Sequence, residues 1–204
     1  MKSIPKVEKN GKVYQYSPEE FEEALGVTYL HGLEFQKMSI LAWIQKECQK
    51  ALKKNLITMQ QKWLGSYYED EILTPKDPPI ILKWIDQDIG WGVFAEKDLT
   101  PKTYIGEYTG FLRKKKNRLD KKNSYCFEYM IGETKETNFT IDAQDKGNFT
   151  RFINHSPTGN ADPMIIYSGG IMRVIIYANQ KIPKGAQITY DYGPDYWAKR
   201  ESPI

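Results

Sequence analysis

Three prolines fall within five residues in Thr74-Pro75-Lys76-Asp77-Pro78-Pro79, and the chain obeys a different periodicity on each side of them. Proline fixes φ, lacks an amide donor and disfavours a helical residue before it, so no helix runs through this stretch. Upstream, within residues 33–68, Leu41, Ile44, Cys48, Leu52, Leu56, Met59, Trp63 and Tyr67 step by three or four residues, the spacing of one helix face. Lys46, Lys50, Lys53, Lys54 and Lys62 fall mostly off that stripe. The spacing predicts one long helix or two, whose stripe either packs on the rest of the chain or joins two copies as a homodimer. A short helix is predicted to start at Ser17-Pro18-Glu19-Glu20, where Ser caps and Pro suits the first turn. Downstream, short β-rich runs between Gly, Pro and Asp predict strands at 80–85, 92–95, 103–108, 125–130, 139–142, 164–167, 173–178 and 187–190. Ser168-Gly169-Gly170 reads as a hairpin turn. The fold class is therefore mainly β with a helical N-terminal region, in several small curved sheets rather than one parallel α/β sheet.

A chain of 204 residues with 40% hydrophobic content can bury a core and reads as soluble and globular. Its first residues carry no apolar run behind their charges, so no Sec-type signal is expected, and no stretch approaches the roughly 18 apolar residues of a membrane helix. Cys48 and Cys126 lie far apart inside apolar patterns and read as reduced, buried thiols. With only these cysteines, His31 and His155, no zinc set can be assembled. The net charge of +3 is uneven: residues 113–122 hold seven Lys or Arg against one Asp, and the remainder is mildly acidic. That basic run reads first as a solvated helix face. Nuclear import or a direct nucleic-acid contact is the alternative.

Five blocks downstream of the prolines occur in a fixed order. They are Gly90-Trp91-Gly92-Val93-Phe94-Ala95, Tyr104-Ile105-Gly106-Glu107-Tyr108-Thr109-Gly110, Tyr125-Cys126-Phe127, Arg151-Phe152-Ile153-Asn154-His155-Ser156 and Ile188-Thr189-Tyr190-Asp191-Tyr192-Gly193. In order and spacing they resemble the SET-domain protein lysine methyltransferases. The resemblance implies that the fourth block threads beside the fifth in a knot-like crossing, a rare topology in proteins. It also implies a division of the chain into a helical region 1–79, a SET domain 80–193 and a short flank 194–204.

The implied reaction moves a methyl group from S-adenosylmethionine to a lysine amine by in-line displacement, so positioning carries most of the catalysis. The amine must be neutral, and with a pKa of about 10.4 only on the order of one free lysine in a thousand is ready near pH 7. An apolar channel and a neighbouring sulfonium both favour the neutral form. Tyrosine suits such walls, because its ring can face a cation and its hydroxyl orients the amine without adding charge. The resemblance places Tyr192 at the methyl-transfer point and Tyr108 against the target amine. Tyr190 falls where the family carries Phe or Tyr, and tyrosine there implies mono- or dimethylation. It also puts the backbone around Trp91, between Gly90 and Gly92, at the methionine end of the cofactor, Asn154 and His155 at the adenine side, and Tyr125 in the same pocket. Arg151 belongs to the same cofactor block.

Two departures stand out. Many eukaryotic members follow Asp-Tyr with a cysteine-rich zinc site, whereas here Pro194-Asp195-Tyr196-Trp197 follows, and Asn154-His155-Ser156-Pro157 replaces the form ending in cysteine. No metal is expected. Tyr196 and Trp197 then act either as aromatic lids over the channel and adenine or as a packed anchor. Within the family the chain looks like the compact SET proteins of chlamydiae. This implies histones or bacterial histone-like proteins as substrates, in the bacterial cytoplasm or, after export, in a host nucleus. A SET-fold binding module without turnover is the alternative use of the same sequence.

Overall fold

The computed structural model describes residues 4–74, 79–116, 120 and 122–197. The segment before the prolines is not helical alone. Asn10 and Gly11, both at positive φ (53° and 73°), turn β1 (Lys6–Lys9) back into β2 (Lys12–Tyr14). Next comes α1 (Pro18–Leu25), closed by a reciprocal cap. Ser17 Oγ accepts from Glu20 N–H at 3.2 Å, and Glu20 Oε2 accepts from Ser17 N–H at 2.7 Å. Two-residue strands β3 (Thr28–Tyr29) and β4 (Glu34–Phe35) precede α2 (Met38–Lys53), α3 (Met59–Tyr67) and α4 (Glu69–Leu73).

The turn at Asn55, with φ of 54°, ends the first long helix and resets the helical phase. Ile44 and Cys48 of the stripe are buried on α2, where Ile40 and Ala51 join them, while Leu41 and Leu52 are half-buried. On α3 the buried residues are Gln61, Leu64 and Gly65, while Met59, Trp63 and Tyr67 remain 75, 59 and 54% exposed. A period carried through the turn therefore assigns these three to the wrong face. Gly65 sets the correct one: a Cβ there would lie 1.8 Å from the Tyr167 carbonyl oxygen, so only glycine lets the helix backbone come this close to its neighbour.

The remaining elements are β5 (Ile80–Asp86), β6 (Gly90–Ala95), β7 (Tyr104–Glu107), β8 (Gly110–Lys114), β9 (Cys126–Ile131), β10 (Lys135–Gly147), a 3-10 turn (Phe149–Phe152), β11 (Asn154–His155), β12 (Ala161–Ser168), β13 (Ile171–Ala178), β14 (Gln187–Tyr190) and α5 (Pro194–Trp197). They form three sheets, in the orders β11-β14-β6-β5-β1-β2, β3-β10-β8-β4 with β9 also on β10, and β12-β13-β7. Every strand expected from the sequence has a counterpart. Gly169 and Gly170, at φ of 62° and 83°, make the two-residue turn between β12 and β13. Strand β8 was not foreseen, because Arg113 and Lys114 look like the start of a solvated basic face. Arg113 is instead buried; residues 117–119 and 121 of that run lie outside the described residues, as do 75–78 of the proline segment.

The N-terminal strands stitch the two parts together. β1 runs parallel to β5, β3 to β10 and β4 to β8, and one apolar core includes Phe21 and Ile44 alongside Leu82, Val93 and Ile141. A charged clamp adds to this. Glu47 on α2 accepts from Lys135 Nζ on β10 and from Lys50 Nζ, each at 2.6 Å, and these bonds, Lys135's first, pull its carboxyl down to about 2 from the usual 4.5. A depressed carboxyl contributes stability that is complete above its unfolded value and disappears as pH falls through the folded one. The urea midpoint of the wild type should therefore converge on that of Glu47→Gln between about pH 4.5 and about 2. A gap that stays constant over this window would rule the clamp out as a pH-dependent contribution.

Candidate active site

Two segments distant in sequence meet at one edge of the six-stranded sheet. β11 and β14 pair in parallel, Asn154 opposite Thr189 and His155 opposite Tyr190, and Ser156 N–H donates to the Tyr190 carbonyl at 3.1 Å. Beside them lies a cavity of about 950 Å³ whose wall includes Tyr108, Tyr125, Tyr190, Tyr192 and Tyr196, with Gly90, Trp91, Arg151 and Asn154. Its size is at the upper end of ordinary ligand sites, on the order of 300–1,000 Å³.

Two of these tyrosines are held by backbone carbonyls. Tyr108, buried just past β7, donates its hydroxyl to the Tyr125 carbonyl at 2.9 Å, and Tyr192 donates its own to the Ile153 carbonyl at 2.7 Å. Tyr190 packs on Tyr192 with ring centroids 4.9 Å apart. Burial raises the pKa of all three phenols, so they stay neutral throughout the physiological range. With both phenol protons directed at carbonyls, the Tyr108 and Tyr192 oxygens have their lone pairs left as acceptors. The pair can orient an N–H donor.

Tyr125 is braced from two sides. The Arg151 guanidinium stacks 3.8 Å from its ring centroid while donating to the Ala143 and Gln144 carbonyls at 2.6 and 3.1 Å. On the other side, Tyr125 N–H donates to Asn123 Oδ1 at 2.9 Å, Asn123 Nδ2 to Asp142 Oδ1 at 2.8 Å, and Arg113 Nε to Asp142 Oδ2 at 2.8 Å. Arg113 also reaches Asp120 Oδ1 at 2.6 Å. Burial opposes ionisation of Asp120, yet bonds from Arg113 and the Lys116 N–H hold its carboxyl below the ordinary value. Sequence reasoning missed this network. Its one visible sign was Asp142 at the end of an apolar strand.

Among the residues expected at the cofactor, Gly90, Trp91, Tyr125, Arg151, Asn154 and Tyr196 reach the wall, and Asn154 Nδ2 donates to the Trp91 carbonyl at 3.2 Å. Gly92, His155 and Trp197 are not among the lining residues. A Cβ at Gly92 would lie 2.7 Å from Ile85 Cδ1 and 3.0 Å from Gln187 Nε2, so glycine there serves the packing of the sheet. His155 stands behind the wall, its Nδ1 accepting from Tyr192 N–H at 3.2 Å and its ring 4.8 Å from that of Trp197. Trp197 stacks nearly parallel to Tyr192 at 6.2 Å, and Tyr196 meets Tyr192 edge-on at 4.7 Å. The α5 aromatics thus pack directly on the tyrosine cluster.

A family model described as the SET domain matches residues 90–193, half of the chain, and the protein belongs to the SET-domain family. The histone-lysine N-methyltransferase CLF of Arabidopsis thaliana is 33% identical over 130 residues, covering 59% of this chain and 14% of CLF. The H3 lysine-36 specific histone-lysine N-methyltransferase of Kluyveromyces lactis is 33% identical over 117 residues, covering 56% of this chain and 17% of that one. The chain thus spans a small fraction of the length of these curated relatives. Among solved structures, the Chaetomium thermophilum Polycomb Repressive Complex 2 bound to GSK126 aligns at 25% identity with a TM-score of 0.51, over 63% of this chain and 18% of that one.

Proposed function

We propose that the protein is an S-adenosylmethionine-dependent protein-lysine N-methyltransferase that adds one or two methyl groups to histones or bacterial histone-like proteins. The observation that carries this reading is the convergence of Tyr108, Tyr190 and Tyr192 on one cavity, with the Tyr108 and Tyr192 phenol protons engaged by carbonyls. Two acceptor oxygens match the two N–H bonds of a neutral lysine amine, and holding both aims the nitrogen lone pair. The aromatic wall adds no fixed charge at this point and excludes water, which favours the neutral amine. A carboxylate in its place would hold the amine protonated.

The walls also fit the cofactor. The Trp197 Nε1 atom is buried without a hydrogen-bond partner among the described residues, next to a cluster that offers ring faces to an adenine. Gly90, at φ of 78°, keeps the wall beside Trp91 free of a side chain. In this reading Gly90, Trp91, Tyr125, Asn154 and Tyr196 hold S-adenosylmethionine, and Arg151, His155 and Trp197 support its wall. The cofactor supplies a sulfonium-activated methyl group.

The names of the relatives support histones as substrates. The resemblance to chlamydial SET proteins supports a bacterial source, with action in the bacterial cytoplasm or in a host nucleus. The same reading includes the division at residues 79 and 193 and a homodimer joined through the N-terminal helices. Incubation with S-adenosylmethionine, mixed eukaryotic histones and a bacterial histone-like protein, read by mass spectrometry, should yield mono- and dimethyllysine. No methylated lysine, together with no cofactor binding by calorimetry, would favour a module without turnover. Tyr190→Phe removes a hydroxyl from the wall and should shift the product toward trimethyllysine. An unchanged product distribution would remove Tyr190 from that role.

A further inference from the structure

Glu107 and Arg173 form an ion pair inside the fold, with side chains 7 and 16% exposed, and neither residue lines the cavity. Arg173 Nη1 donates to Glu107 Oε1 at 2.9 Å and to Oε2 at 3.1 Å, and Arg173 Nε reaches the Ser168 carbonyl at 3.4 Å. Drawing two charges out of water is expensive, and apolar residues of similar volume are often as stable in their place. Stability alone therefore does not account for the pair.

Its place in the sheet does. Glu107 on β7 stands opposite Ile175 on β13, and the ladder continues past the end of β7 with the bond from Tyr108 N–H to the Val174 carbonyl at 2.8 Å. Continued by two residues, that register sets Thr109 opposite Arg173, so the guanidinium reaches back diagonally to Glu107 across the level of Tyr108. Side chains alternate between faces along a strand, which puts Glu107 on the face away from its neighbour Tyr108. The Glu107 carbonyl is fixed as well, accepting from Asn148 Nδ2 at 2.8 Å and Thr150 Oγ1 at 3.4 Å. At its far end the Tyr108 ring is tied by its hydroxyl to the Tyr125 carbonyl.

We infer that Glu107 and Arg173 are positioning residues for the Tyr108 hydroxyl. The inference rests on the proposed role of Tyr108 at the target amine. The pair fixes the Tyr108 backbone against β13, and any tilt there is carried to the hydroxyl along the length of the ring. Neutral as a whole, it adds no net charge behind a site that must hold a neutral amine.

Replacing both partners separates positioning from stability. Glu107→Leu together with Arg173→Met should leave the urea midpoint close to that of the wild type. Its kcat for methyl transfer should nevertheless fall on the order of tenfold, with KM for S-adenosylmethionine little changed. Arg173→Lys, which keeps the charge but not the two-bond fork, should lose about threefold. In a Tyr108→Phe background, with no hydroxyl left to place, the paired substitution should cost nothing more, whereas in Tyr192→Phe it should cost its full factor again. A wild-type kcat in the paired variant would overturn the inference. So would an undiminished loss in the Tyr108→Phe background, which would mark a general loosening of the fold. If circular dichroism shows the paired variant unfolded, Arg173→Lys in the same two backgrounds decides, and an unchanged kcat there overturns the inference too. An inactive wild type would overturn the reading of the site and this inference with it, whereas an active one with indifferent variants overturns the inference alone.

Discussion

Tyr192→Phe is expected to lower methyl transfer by on the order of 10²–10³-fold, the usual cost of removing one preorganised polar contact to a reacting group. The ring, its packing on Tyr190 and its stack with Trp197 would remain, so cofactor binding measured by calorimetry should change little. Loss of the bond to the Ile153 carbonyl should cost about 1 kcal/mol of stability, visible as a small drop in urea midpoint. The rates of both proteins should rise with pH between about 7 and 9 as the lysine amine deprotonates. Because burial holds the Tyr192 phenol neutral over this range, the slope should be the same with and without its hydroxyl. A variant with wild-type turnover would remove Tyr192 from the reaction, and a slope that disappears with the hydroxyl would mean that it acts as a base.

Asp142→Ala should have the largest effect on folding, about 3–5 kcal/mol, out of a total that for such domains is about 5–15 kcal/mol. Arg113 and Asp142 have side chains only 8 and 17% exposed, and the carboxylate also serves Asn123 and the Gln144 N–H. Removing it leaves a buried guanidinium short of a partner and takes an acceptor from Asn123 and from the Gln144 N–H. The surface pair Lys181–Asp98, 70 and 59% exposed, offers the control: Asp98→Asn should leave the urea midpoint unchanged. Equal midpoints for Asp142→Ala and wild type would show that the network carries no stability. The same substitution should also slow methyl transfer in the protein that remains folded, since Asn123 positions Tyr125, and the Tyr125 carbonyl holds the Tyr108 hydroxyl.

The β-rich part was legible because each strand is a short apolar run between turn residues, as in the pair joined by Gly169 and Gly170. Strand β8 was not, because burial of Arg113 depends on Asp142, 29 positions away and contributed by another strand. Strands β1 to β4 are two to four residues long, too short to show alternation. The helical stripe read correctly through Ile44 and Cys48 and failed at Met59, where the Asn55 turn changed the phase. In the candidate site the tyrosines stood out through ordered blocks. What separates wall from support did not: Gly92 and His155 share a block with Trp91 and Asn154, and only the fold puts them behind the cavity.

The parallel pairing of β11 with β14 also bears on when the site comes into being. Asn154 and Tyr108 are synthesised well before Tyr190, Tyr192 and Tyr196, and the cavity lacks that wall until β14 settles between β11 and β6. Contacts this distant in sequence form late and slowly. A ligand of the cavity can therefore hold the finished fold by mass action but cannot guide the nascent chain toward it.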